Sequence, residues 1–378
     1  MNKVNLVIWT PTITHHQSAF HDAIIENGKI DLEVRYFNKI SQERLDLGWD
    51  DKKCIKSFEK RVATLDDALE SVSDFNERIH IISGNGYAFT KELIDYCIAN
   101  NLKWINWTER SGGGLFKLLR ENSTLFKMFF PIYKRLYNRK FAQQIEKYAL
   151  GTFVSGIKAE EDYLRRRVSK EKIKHLYYAL EPLVKTTVIP KELKSSRFKY
   201  HFIYVGSLSH GKGIDILLKA YSELDHNEWG LILVGKDISN GQYQKMVKTL
   251  NIQNNVTFTG AIDFDRVNEY MSFADVFVLP TRFDGWGAVL NEAASLSLPI
   301  ISTDECGASY HLINNAQNGY MVKAGLVDSL MKAMKNYVES PVSVQEHGKQ
   351  SFELFKQFLP QKNVNRLIDA LEVWNQNE

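Results

Sequence analysis

"HFIYVGSLSHGKGIDILLKAYSEL", residues 201–224, runs four apolar or aromatic residues into a polar loop holding Gly206, Gly211, Lys212 and Gly213, then resumes apolar residues at helical spacing. A short β-rich run reads as a strand and a period of 3.6 as a helix. The same alternation continues through "GLILVG" (230–235), "YQKMVKTLNI" (243–252), "NVTFTG" (255–260), "DRVNEYMSFA" (265–274), "DVFVLP" (275–280), "AVLNEAASL" (288–296), "PIIST" (299–303), "GYMV" (319–322) and "DSLMKAMKNYV" (328–338). Strands that alternate with helices predict a parallel, doubly wound sheet of the Rossmann type.

Upstream the pattern is already present. "VNLVIWT" (4–10), "DLEVRYF" (31–37), "IHIISG" (79–84), "KWINWT" (103–108) and "GTFVSG" (151–156) are strand-like, with helical spacing in "AFHDAIIEN" (19–27) and "TKELIDYCIANN" (90–101) between them. The two series are separated by the non-periodic, lysine- and proline-bearing stretch 176–200. The expected class is α/β, with two Rossmann-like doubly wound parallel-sheet domains facing a central cleft. Domain bounds are expected at 1–180 and 199–357, with a linker over 181–198 and a C-terminal helix, 358–378, crossing the junction to return to the first domain.

Length and composition agree. At 378 residues, 44% hydrophobic and 25% charged, the chain is long enough for two cores of ordinary size. A formal net charge of +3 is too small to predict nucleic-acid binding. Cys54, Cys97 and Cys306 are odd in number and widely spaced, which predicts neither a disulfide framework nor a zinc site. The N-terminal apolar run is too short for a secretion signal or a membrane span, so a cytoplasmic protein is expected.

Ligands of such sheets bind beyond the carboxyl ends of the strands. The loop 206–213 offers backbone N–H groups, a helix start and the Lys212 ammonium to anionic oxygens, the chemistry of a phosphate site, with an ordinary strand-to-helix turn as the alternative. Its spacing is neither G-x-G-x-x-G nor that of a P-loop. The second such loop is "TRFDGWGAVLNEA", residues 281–293. There Gly285 and Gly287 would let the backbone approach a ligand, the start of the following helix favours an anion, and Asp284 and Glu292 would accept hydrogen bonds from sugar hydroxyls. A capping acid and a solvated helix-face acid are the plainer readings of these two, weakened for Glu292 by the small and apolar residues after it.

In order and spacing, "GSLSHGKG", "FVLPTRFDGWGAVLNEAASLSLPIIST" and "NGYMV" resemble the retaining nucleotide-sugar glycosyltransferases of the large GT-B family, which contains sucrose-synthase-like and lipopolysaccharide enzymes. The likeness lies mostly in residues 198–340, and in the first half mainly in "WTPTITHHQSAFHDAI". The family motif is E-x7-E, and Asp284 and Glu292 stand at its two ends with seven residues between them. The resemblance implies that Glu292 binds the donor ribose, Asp284 the donor sugar and Lys212 the diphosphate, with Gly206, Ser207, Lys236 and the backbone of Gly285, Trp286, Gly287 and Ala288 lining the donor site. It departs from the pattern at Ser207, where the family has arginine, at Asp284, where it has glutamate, and at Ser297, where it has glycine. Arg282, His210 or Lys236 are the candidates to replace the missing cation.

On the acceptor side, "TPTITHHQ" and "NWTERSGGG" follow strands and offer His15, His16, Gln17, Glu109 and Arg110, with "SGNGY" (83–87) a weaker third loop; solvated loop residues or a surface ion pair are the alternatives. Residues 115–147 carry Lys117, Arg120, Lys127, Lys134, Arg135, Arg139, Lys140 and Lys147 against Glu121 and Glu146, interleaved with aromatic residues. That predicts contact with an anionic membrane surface or, more plainly, a packed helix with a basic face. The implied function is metal-independent, retaining transfer of a sugar from a UDP- or GDP-sugar, with no other cofactor, to a glycan or lipid-linked acceptor in cell-surface polysaccharide biosynthesis. The enzyme would be peripheral at the inner face of the cytoplasmic membrane. A nucleotide-sugar epimerase and a non-catalytic nucleotide-sugar or glycan binder are the alternatives.

Overall fold

The computed structural model describes residues 3–39, 56–110, 138–225 and 227–376, the side chains of His15, His16 and Phe264 excepted. The chain divides into two compact units, one running to Glu181 and resuming at Phe358, the other spanning Pro182–Gln357.

In the first unit the strands are β1 (Val4–Thr10), β2 (Ile30–Tyr36), β3 (Glu59–Arg61), β4 (Ile79–Ile82), β5 (Trp104–Thr108), β6 (Gly151–Val154) and β7 (Ile173–His175). They pair in the order β3-β2-β1-β4-β5-β6-β7, all parallel. Strand β1 shows why. Leu6, Val7, Ile8 and Trp9 are all fully buried, as a strand covered on both faces must be. Leu6 and Ile8 join the core under helices His15–Asn27 and Pro360–Gln376, whereas Val7 and Trp9 point into the opposite core with Leu93 and Phe141. The C-terminal helix thus packs within the first unit, its Trp374 ring 5.0 Å from that of Phe153.

In the second unit β8 (Tyr200–Val205), β9 (Trp229–Val234), β10 (Val256–Gly260), β11 (Val276–Leu279), β12 (Ile300–Thr303) and β13 (Gly319–Val322) pair in the order β10-β9-β8-β11-β12-β13, again all parallel. Each sheet contains the doubly wound order 3-2-1-4-5-6, which reverses direction between β1 and β4 and between β8 and β11.

The stretch read as a linker lies along the second unit from Pro182 onward. Leu183 N donates to Ser295 Oγ (3.4 Å), Thr186 N to Ser272 Oγ (3.2 Å) and Asn268 Nδ2 to Val184 O (2.9 Å). Lack of periodicity here reflects an extended strap held by hydrogen bonds.

Ser297, where the resembled family has glycine, sits at φ +54°. Helix Val289–Ser295 ends there in a Schellman turn, Leu298 N donating to Ala293 O and Ser297 N to Ala294 O, both at 3.0 Å. A Cβ costs about 1 kcal/mol in this conformation, part of which glycine returns through its more flexible unfolded chain. Ser297→Gly is therefore expected to stabilise the second unit by about 0.5–1 kcal/mol, read as a midpoint shift in urea unfolding.

Candidate donor site at the switch point of the second sheet

The loops after β8 and β11 meet where the strand order reverses. Gly213 N donates to His210 O (3.0 Å) and closes the first loop, with Gly213 at φ +73° before helix Ile214–Ser222. A Cβ on Gly213 would fall 2.0 Å from Pro280 O, so only glycine lets the two loops approach this closely. Arg282 N donates to Gly211 O (2.9 Å), and Thr281 Oγ1 donates to the same carbonyl (3.2 Å).

Lys212 and Asp284, 72 residues apart in the chain, are brought into an ion pair, Nζ to Oδ2 at 2.5 Å, with side chains 32% and 16% exposed. The loop of Asp284 is pinned from behind, as Asp284 N donates to Glu305 O (3.0 Å) and Gly307 N to Asp284 O (3.3 Å). One turn into helix Val289–Ser295, Glu292 is 8% exposed, and burial pushes its carboxyl up to about 7. The ionised form of such a group gains from any ligand that brings hydroxyl donors. Ala288 O opens this helix by accepting from Asn291 N (2.9 Å).

Residues of this loop also pack it against the protein. Gly287, at φ +87°, clears space for the protein itself, since a Cβ there would lie 2.4 Å from Cys306 Sγ. Trp286 is buried, its Nε1 donating to Asn291 Oδ1 (2.9 Å), and its carbonyl accepts from Ala308 N (2.7 Å) and Cys306 Sγ (3.1 Å). Both serve the loop's own packing. Arg282, one of the candidate replacement cations, has its guanidinium on Asp215, Nη1 to Oδ1 and Nη2 to Oδ2 both at 2.7 Å. His210 and Lys236 are exposed beside the loop. The Ser207 carbonyl accepts from Tyr204 Oη (2.9 Å), and Gly206 N donates to Val234 O (2.9 Å). Asp215 was missed in the sequence; its signal was an acid in the first turn after a glycine-lysine loop.

In the first unit the loops after β1, β4 and β5 converge on an open pocket of about 320 Å³. Gln17 and Glu109 line it with Ser83 and Tyr87, as does Tyr178, whose hydroxyl donates to the Glu109 carboxylate. Gln17 Nε2 donates to Thr10 Oγ1 (3.1 Å), and Thr14 caps the helix that begins at His15. Arg110 adjoins Glu109 in the chain and is not among the pocket's lining residues. The side chains of His15 and His16 lie outside the described residues, as do residues 115–137 of the basic stretch. Of the remainder, Arg139, Lys140 and Lys147 are exposed on the helical stretch 138–148, and Glu146 accepts from Ser169 N (2.8 Å). Among the described residues no helix is long and apolar enough to cross a membrane.

Two doubly wound units, each with its strand-end loops gathered at a switch point, define the GT-B fold. Solved structures agree: sucrose-phosphate synthase from Thermosynechococcus elongatus aligns over the whole of both chains with a TM-score of 0.74 at 16% identity. The Anabaena protein HepE in complex with UDP and glucose aligns over 98% of this chain and 99% of its own, with a TM-score of 0.70 at 12% identity. Residues 185–353, most of the second unit, match the family model for glycosyl transferases group 1. Over 174 residues the chain is 26% identical to the N-acetylgalactosamine-N,N'-diacetylbacillosaminyl-diphospho-undecaprenol 4-alpha-N-acetylgalactosaminyltransferase of Campylobacter jejuni, covering 46% of each chain. It is 24% identical over 157 residues to an uncharacterized glycosyltransferase of Haemophilus influenzae, covering 41% of this chain and 44% of that one. The chain thus spans about half the length of these curated relatives.

Proposed function

We propose that the protein is a glycosyltransferase that moves a sugar from a nucleotide diphosphate sugar to a hydroxyl of a glycan or lipid-linked acceptor, with retention of configuration and without a metal. The observation that carries this reading is the ion pair of Lys212 and Asp284 across the two loops of one switch point, with the buried Glu292 one turn into the helix that follows the second loop. Glu292 accepts from the ribose hydroxyls, Asp284 from hydroxyls of the transferred sugar, and Lys212 neutralises charge on the diphosphate as the bond from the anomeric carbon to the phosphate oxygen breaks. The acceptor oxygen forms the new bond, and its proton passes to the departing phosphate oxygen. The first-unit pocket, with its hydroxyl, amide and aromatic lining, suits a sugar acceptor. The basic stretch 115–147 would hold the enzyme at an anionic membrane surface during cell-surface polysaccharide synthesis.

A thermal-shift titration with UDP-, GDP- and dTDP-sugars tests the donor reading. One of them is expected to raise the midpoint saturably, since a ligand at a hundred times its Kd stabilises the fold by about 2.7 kcal/mol. The shift should shrink in Glu292→Gln, where a charge-assisted hydrogen bond becomes a neutral one. No shift with any of the three would overturn the reading.

A further inference from the structure

The first half of the loop 206–213 is tied to the end of β9 and the segment after it, Gly206 N donating to Val234 O (2.9 Å) and Leu208 N to Lys236 O (2.8 Å). Its second half, the turn that carries Lys212, is fastened differently. Arg282 reaches across from the neighbouring loop, gives both ends of its fork to Asp215 at 2.7 Å and donates through Nη1 to His210 O at 2.5 Å. With side chains 18% and 24% exposed, the pair is largely shielded from solvent screening. Burial works against the Asp215 carboxylate, and the hydrogen bonds and charge of Arg282 outweigh it, holding its pKa below the ordinary aspartate value. A bidentate guanidinium–carboxylate pair fixes angle as well as distance, which a lysine in place of the arginine cannot do. Thus one side chain spans the turn before Lys212 and the helix after it.

We infer that Asp215 and Arg282 are positioning residues whose paired charges hold the His210–Gly213 turn so that the Lys212 ammonium is presented at Asp284 and, on the nucleotide-sugar reading above, to the donor diphosphate. They act on the donor only through Lys212. With Arg282 committed to Asp215, the aim of Lys212 depends on how firmly this turn is held.

The test uses Asp215→Asn, which keeps the shape and removes the charge, and Arg282→Lys, which keeps the charge and removes the fork. The first measurement needs no ligand: hydrogen exchange at the Lys212 and Gly213 amides, which donate to Ser209 O (3.2 Å) and His210 O (3.0 Å). It should quicken about tenfold in both variants while the sheet amides stay unchanged. The second is calorimetric affinity for UDP, GDP or dTDP, whichever wild type binds. It should fall about tenfold in Asp215→Asn, yet less than twofold when the same change is made in Lys212→Ala, because residues acting through one group are not additive. Unchanged exchange in both variants, or an equal loss of affinity in the two backgrounds, overturns the inference. A wild type that binds none of the three nucleotides sinks the donor reading instead, and the exchange measurement then decides the clamp alone.

Discussion

Lys212→Ala is expected to lower kcat/KM for transfer about 10²-fold or more, with the fold intact. Electrostatic groups aimed at developing charge are worth roughly 3 to 4 kcal/mol in the transition state, and each 1.4 kcal/mol is tenfold in rate. Several features put this protein at the upper end. Ser207 stands where the resembled family has arginine, and Arg282 is held by Asp215. Removing the ammonium also leaves the Asp284 carboxylate, 16% exposed, without that ion pair and facing an incoming anion. Steady-state transfer with saturating acceptor, compared among wild type, Lys212→Ala and Lys212→Arg, is the measurement. Lys212→Ala within twofold of wild type, still folded by circular dichroism, would remove the loop from the donor site.

The second large effect is steric. Gly213→Ala sets a methyl group 2.0 Å from the carbonyl oxygen of Pro280 in a backbone already at φ +73°. A backbone oxygen cannot rotate away as a side-chain end can, so the two loops must separate. A cost of about 3 kcal/mol or more in urea unfolding of the second unit is expected, with nucleotide affinity lost alongside it. Gly241→Ala is the control. Its φ is +79°, yet its nearest neighbour is the end of the Gln244 side chain at 3.8 Å, so it should show only the conformational cost of about 1 kcal/mol. Equal costs for the two variants would show that close loop contact at Gly213 is unimportant.

The strands that build the site were the easiest to read. Strand β8 and strand β11 are buried apolar runs, and loops after such strands had to meet at a switch point once the alternation was recognised. Strands β3 and β7 were missed because Glu59–Arg61 and Ile173–His175 are three residues each and largely polar, as sheet edges are. Helix Ser343–Phe355 escaped notice for a different reason. Its buried positions include Gly348, whose missing Cβ lets it lie on Ser297 O, so it packs through a small residue where apolar periodicity has no voice.

Within the site, residue types and spacing singled out Lys212, Asp284 and Glu292. They could not say which glycine serves a ligand and which serves the protein. Gly287 faces Cys306, 19 residues on, and Arg282 faces Asp215, 67 residues back. Both pairings depend on contacts that exist only after the sheet has formed. Local sequence carries no trace of them.

The central claim is that Glu292 meets the hydroxyls of a bound nucleotide sugar, and proton-linked calorimetry addresses it most directly. A nucleotide sugar is the right probe, because its phosphates are diesters and carry no proton near neutrality, whereas a terminal phosphate titrates near pH 6. With the Glu292 carboxyl at about 7 in the free protein, the ligand prefers the ionised form. Affinity should therefore rise about tenfold from pH 6 to pH 8, and binding at pH 7 should release about half a proton per ligand into the buffer. Glu292→Gln should bind more weakly, with affinity flat across the same range. Affinity independent of pH in wild type, or an equal pH dependence in wild type and Glu292→Gln, would contradict the account.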